Sequence, residues 1–165
     1  MPSVQRARHT LATYVDTTNG GSTPDYALIG TGVESLTYEF GPEDEQKFYI
    51  NQESATTILK SYSPSFSAQF AAIESDDAID WAEDAIIHQY TGTSARTSVV
   101  TVMLWRESGS GYEAIERKYT FEPSSAGGDA GDLEYQIDFS SAGDPVYGIA
   151  TIDSTTGALT FTPNT

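Results

Sequence analysis

The stretch from residue 36 to residue 72 constrains this chain most. Leu36, Tyr38 and Phe40 alternate with Thr37 and Glu39, and Phe66, Ala68, Phe70 and Ala72 alternate with Ser65, Ser67, Gln69 and Ala71. Alternation with a period of two marks a strand with one face buried and the other wet. Residues 41–60 join the two runs, a connection far longer than the roughly 4–6 residues usual in compact domains. It carries Phe48, Tyr49, Ile50, Ile58 and Leu59, too much apolar surface for simple disorder. The expectation is an arm that buries these residues on something outside its own core.

The remaining chain reads as one helix among strands. Residues 1–24 hold Leu11, Tyr14 and Val15, then turn polar through Asn19-Gly20-Gly21-Ser22-Thr23-Pro24. This is expected to be an N-terminal arm that docks through those apolar residues, followed by a loop. A helix is expected over about 76–89, with Ser75 as its N-cap and Asp76 and Asp77 at the positive end of its dipole. Ile79, Ala82, Ala85 and Ile86 fall on one face, with Trp81 at the edge of that face. The acids Asp76, Asp77, Asp80, Glu83 and Asp84 gather on the other face. Ser98–Arg106 is apolar on both faces, as in a central strand or one facing another subunit. It forms a hairpin with Tyr112–Phe121. A glycine-rich loop over Pro123–Asp132 leads to the alternating run Leu133, Tyr135, Ile137 and Phe139, and shorter strands follow at Val146–Ile152 and Leu159–Phe161. Such spacing predicts a mainly β chain, a sandwich or barrel with one flanking helix, in a single domain over 1–165.

Composition excludes several classes. There is no cysteine, so neither a disulfide framework nor a thiolate site exists. No apolar run approaches the roughly 20 residues of a membrane-spanning helix, and no apolar segment near the N-terminus resembles an export signal. The net charge is -16, from 24 acidic and 8 basic residues. Phosphate neutralisation needs clustered Lys and Arg, so nucleic-acid affinity is not expected. Anionic membranes are excluded on the same ground.

Sites of catalysis or metal binding are not expected either. His9 lies in the arm and His88 near the helix end, and neither has metal-ligand spacing. No serine-hydrolase elbow, phosphate loop or zinc-protease motif occurs. Gly127-Gly128-Asp129-Ala130-Gly131-Asp132 is similar to one turn of a calcium-binding nonapeptide array. Such arrays need stacked copies, so a glycine turn is the simpler reading.

An ordered series of segments carries a resemblance. Leu28-Ile29-Gly30-Thr31-Gly32-Val33-Glu34-Ser35-Leu36-Thr37-Tyr38-Glu39-Phe40, Tyr49–Thr56 and Lys60–Ser65 resemble the first half of tail tube (major tail) proteins of long-tailed bacteriophages with non-contractile tails. Arg117–Thr120, Gly127–Gly131, Gly143–Gly148 and Thr160–Pro163 resemble the second half of that family, in the same order. The resemblance implies a β-sandwich with one flanking helix. It also implies rings of six copies whose inner sheets join around a lumen, stacked through a long loop and terminal arms, with genomic DNA leaving through the lumen. The chain would then be a structural virion protein of the tail, assembled in the host cytoplasm. Its partners would be further copies, tape measure, tail terminator and distal tail proteins, with no membrane and no cofactor. On this reading Phe48, Tyr49, Ile50, Ile58 and Leu59 stack rings, and Leu11, Tyr14 and Val15 are arm contacts. Glu39, Glu134 and Asp138, on the polar faces of alternating strands, are the candidate acidic lumen. Like charge on the wall would let DNA slide.

The alternative is a secreted or surface β-sandwich that binds sugar or protein. It would need an aromatic platform, for which Tyr62, Tyr112 and Tyr147 are available. A hydrolase has no visible site, so an enzyme is not expected.

Overall fold

The computed structural model describes residues 3–165, so the first two residues of the expected arm lie outside the described residues. Strands β1 (Leu11–Asp16), β2 (Tyr26–Leu28), β3 (Leu36–Glu39), β4 (Pro42–Lys47), β5 (Thr56–Tyr62) and β6 (Ser65–Ala71) precede the helix α1 (Asp77–His88). Strands β7 (Arg96–Ser108), β8 (Gly111–Gly127), β9 (Glu134–Ser141), β10 (Val146–Ile152) and β11 (Leu159–Pro163) follow it. The chain is mainly β, in a sandwich-like arrangement with one helix. The main sheet runs β2-β1-β7-β8-β9-β6-β3, with β10 and β11 attached through β8.

Strand β8 organises this sheet. One of its edges pairs with β7, while the other holds β10 against Tyr112–Glu116 and β9 against Tyr119–Gly127. The sheet therefore divides and encloses two cores. The larger core packs Phe66, Phe70, Phe121, Ile137 and Phe139 against Ile79, Trp81, Ala82 and Ala85 of α1. Phe66 and Phe139 stack at 4.3 Å, and Trp81 meets Phe121 edge-on at 5.1 Å, geometries that aromatic quadrupoles favour. The smaller core is Tyr14, Val100, Val102, Ala114, Ala150 and Leu159. Val99 enters the first core and Val100 the second. The doubly apolar β7 is thus a central strand, covered on both faces by its own chain at these positions.

Four expectations are corrected. From Leu11 the supposed arm is β1, an interior strand between β2 and β7. Tyr14 and Val15 are core residues, so they are not free to dock on a neighbour. At the end of β1, the buried Asp16 carboxylate accepts hydrogen bonds from Thr18 N, Thr18 Oγ1, Asp25 N and Gly20 N, which offsets its desolvation and ties down the turn. The helix N-cap is Asp76, which accepts from Ala78 N and Ile79 N, whereas Ser75 lies outside the helix at φ +67°. Trp81 is buried in the core rather than at the rim of the apolar face. Phe40 does not complete the alternation of β3, which ends at Glu39, and is 63 % exposed.

Residues 41–60 are not an irregular loop. Most belong to the hairpin β4–β5, a separate two-stranded sheet. Likewise Pro123–Gly127 extends β8 along β9 through a bulge between Pro123 and Ser125. The glycine turn starts after it. Gly128 has φ +147°, and a Cβ there would run into the Asp132 carbonyl.

Candidate functional site

The β4–β5 hairpin projects from the sandwich at Gly41. Ser63 N donates to Gly41 O at 3.0 Å across its root. Gly41 has φ +53°, and a Cβ there would lie 2.6 Å from Ser63 O, so this joint requires glycine. No residue of β4 or β5 is buried. Phe48 and Tyr49, at the apex, are 72 % and 50 % exposed, and Ile50, Ile58 and Leu59 are exposed as well. Lys60 and Lys47 bond Glu45 at 2.8 and 3.6 Å, but exposed pairs of this kind contribute little. A lone two-stranded hairpin is marginal in water. This one leaves its apolar side chains uncovered in the single chain.

A second feature is the outer face of β8-β9-β6-β3. Register and alternation place Thr37 and Glu39 of β3, Ser65, Ser67 and Gln69 of β6, and Glu134, Gln136, Asp138 and Ser140 of β9 on this face, together with Glu122 of β8. Each expected lumen acid is here. Asp138 accepts from Ser67 Oγ at 2.5 Å, and Glu134 accepts from Gln69 Nε2. Glu39 shares a shallow groove with Asp138. Sequence reasoning missed Glu122, which sits directly opposite Asp138. Like charges placed so repel, and the fold keeps them on a face bare of large apolar groups. Toward β7 the same face carries Lys118 and Arg96.

The third feature is a pair of free strand edges on this same sheet. Ser63 N to Gly41 O continues the β3–β6 ladder, so Thr37 and Glu39 turn their main-chain groups toward β6, and Leu36 and Tyr38 turn theirs outward. Ala142 N donates to Lys118 O, which sets the β8–β9 ladder the same way. Phe121 and, past the bulge, Ala126 therefore point away from β9. Strand β7 pairs with β8 only as far as Thr120. Beyond it, no strand among the described residues covers this edge. Instead a groove of about 620 Å³ runs beside it, lined by Ile86, Tyr90, Ala95, Phe121, Pro123 and Ala126. The one sequence signal for this edge was Pro123, since proline in a sheet is confined to edges and bulges.

The remaining candidates are dispersed. Leu11 is half-buried at the start of β1. Tyr62, Tyr112 and Tyr147 lie on β5, β8 and β10, and Tyr112 packs against the smaller core, so it is not free to serve a ligand platform. His88 Nδ1 lies 2.9 Å from Asp84 at the helix end. Among the described residues, no group of three His, Asp or Glu side chains is placed to hold a metal ion.

No protein-family model matches the sequence, and comparison with curated proteins finds no match. Solved structures do share the fold. A chain in the tail of an empty gene transfer agent particle, determined by helical refinement with C6 symmetry, is similar at a TM-score of 0.58 and 15 % identity, over 87 % of this chain and 98 % of that one. A chain of the native gene transfer agent virion gives 0.56 and 13 %, over 87 % and 98 %. A chain of the anti-feeding prophage cap, which terminates that particle's tube, gives 0.50 and 11 %, over 91 % and 96 %. At these identities the likeness establishes the fold alone, a mainly β, sandwich-like arrangement that chains of those particles share.

Proposed function

We propose that this chain is the structural subunit of a tail tube, of the non-contractile kind its sequence resembles, forming rings of six that stack into a conduit for DNA. It acts by assembly and not by catalysis, in the virion tail. Its contacts are other copies and the tail proteins at the ends and in the bore of the tube. The observation that carries this reading is the hairpin, a built element whose Phe48, Tyr49, Ile50, Ile58 and Leu59 have nothing to cover them in the single chain. The two free edges support it. The outward edge of β3 in one copy would pair with the Phe121–Gly127 edge of the next, continuing one polar, acidic face around a lumen. Such a joint is heterologous and closes into a ring when its rotation permits. Glu39, Glu122, Glu134 and Asp138 would then line the wall.

The test is negative-stain electron microscopy and sedimentation of the purified protein over a concentration series. Rings or hollow tubes with sixfold end views are expected. A monomer at every concentration, including after addition of pre-formed tube fragments, would overturn the reading.

A further inference from the structure

We propose that Arg8 is a latch on the β3 edge, holding the free chain back from assembly until a neighbour displaces it. This rests on the edge-to-edge ring above. Arg8 opens a short 3-10 turn, Arg8–Thr10, which is held by Thr10 N and Thr10 Oγ1 on Ala7 O at 3.1 and 2.7 Å. From there its guanidinium reaches two main-chain carbonyls. Nη1 donates to Leu11 O at 2.6 Å and Nη2 to Leu36 O at 2.8 Å. Leu36 is one of the two β3 residues whose main-chain groups point away from β6, so its carbonyl belongs to the row a neighbouring strand would take. Arg8 thus occupies a hydrogen-bonding position of the joint and sets a charged side chain in the path of the incoming strand. Charged side chains at sheet edges are a known guard against unwanted pairing.

Two further observations fit a releasable guard. Among the described residues Arg8 makes no ion pair, although the chain has 24 acidic residues. Its donors go to the backbone instead. It is also exposed, so it can withdraw without disturbing either core. The joint itself returns a partner to Leu36 O, since a neighbour's strand edge supplies N–H donors. The latch therefore opposes the first encounter, and the closed ring has no need of it.

The experiment compares the full chain with Arg8→Ala and Arg8→Lys. Assembly is followed by light scattering and electron microscopy over concentration, and the melting of each monomer is recorded at low salt. Arg8→Ala is expected to form tubes at a concentration about tenfold lower, equivalent to about 1.4 kcal/mol, with a shorter lag. Arg8→Lys should fall between, because an ammonium lacks the planar fork that spans two carbonyls. Tubes from the variant at concentrations where the unaltered chain forms none would also support the latch. If the unaltered chain assembles and Arg8→Ala needs the same or a higher concentration, the latch is wrong. A lowered melting temperature alongside would identify Arg8 as a brace. If neither protein assembles, the ring reading fails, and the latch fails with it.

Discussion

Single residues set how this protein responds to charge and pH. Burial pushes the Tyr119 phenol up to about 12, with Tyr38 beside it adding to the shift. Tyr14, Tyr26 and Tyr38 are raised as well, each chiefly by burial, and Tyr26 also donates to Glu116 at 2.7 Å. A phenol held neutral in the fold but free to ionise in the unfolded chain means that the unfolded state binds fewer protons above its own pKa. Stability is then intact below about pH 10 and falls as pH rises through the window up to the folded value. Thermal melts should show a drop in melting temperature starting near pH 10, and Tyr119→Phe should make that drop shallower. An identical alkaline profile in the variant would remove Tyr119 from the account. On the outer face, changing Glu39, Glu134 and Asp138 together to Lys should slow DNA release from particles, since phosphates would then bind the wall. Release at the unaltered rate would take these positions out of the lumen. Their shared face was legible in the sequence because β6 and β9 alternate cleanly. Glu122 and Arg8 were not legible, because their importance lies in register and in which way a carbonyl points.

At the scale of elements, pattern reading worked wherever one face of a strand is buried and the other wet. It also placed β7, apolar on both faces, as a central strand, and failed at other strands that lack this contrast. Leu11, Tyr14 and Val15 read as the docking contacts of an arm, yet Tyr14 and Val15, neighbours in a strand, face opposite ways and enter different cores. Pro42–Lys47 reads Pro-Glu-Asp-Glu-Gln-Lys and shows no alternation, because neither face of β4 is buried. Ser124-Ser125-Ala126-Gly127 looks like a loop and becomes strand through the β9 ladder. The separateness of the hairpin leads to a prediction. Replacing Pro42–Tyr62 by a short turn between Gly41 and Ser63, which are already hydrogen-bonded, should leave the melting temperature nearly unchanged. Rings should still form, but not stack. Long tubes from this variant in electron micrographs would contradict a stacking role.

The whole molecule carries a net charge of -16, so copies repel as they approach. Raising salt from about 0.1 M to about 1 M shortens the screening length from about 10 Å to about 3 Å. The concentration needed for assembly should fall across that range in light-scattering titrations. A rise would mean that attraction between opposite charges dominates the contacts. The two edges of the β8-β9-β6-β3 sheet are unlike each other, and one of them contains Pro123. Proline offers a carbonyl but no N–H, so a strand laid on this edge finds a gap in the donor row at one fixed place. Sliding the strand by one residue would turn its side chains to the opposite face. In the proposed ring this gap would act like the notch of a keyed shaft. It would reject misaligned neighbours before they lock, so that every copy brings its acidic residues to the bore at the same height.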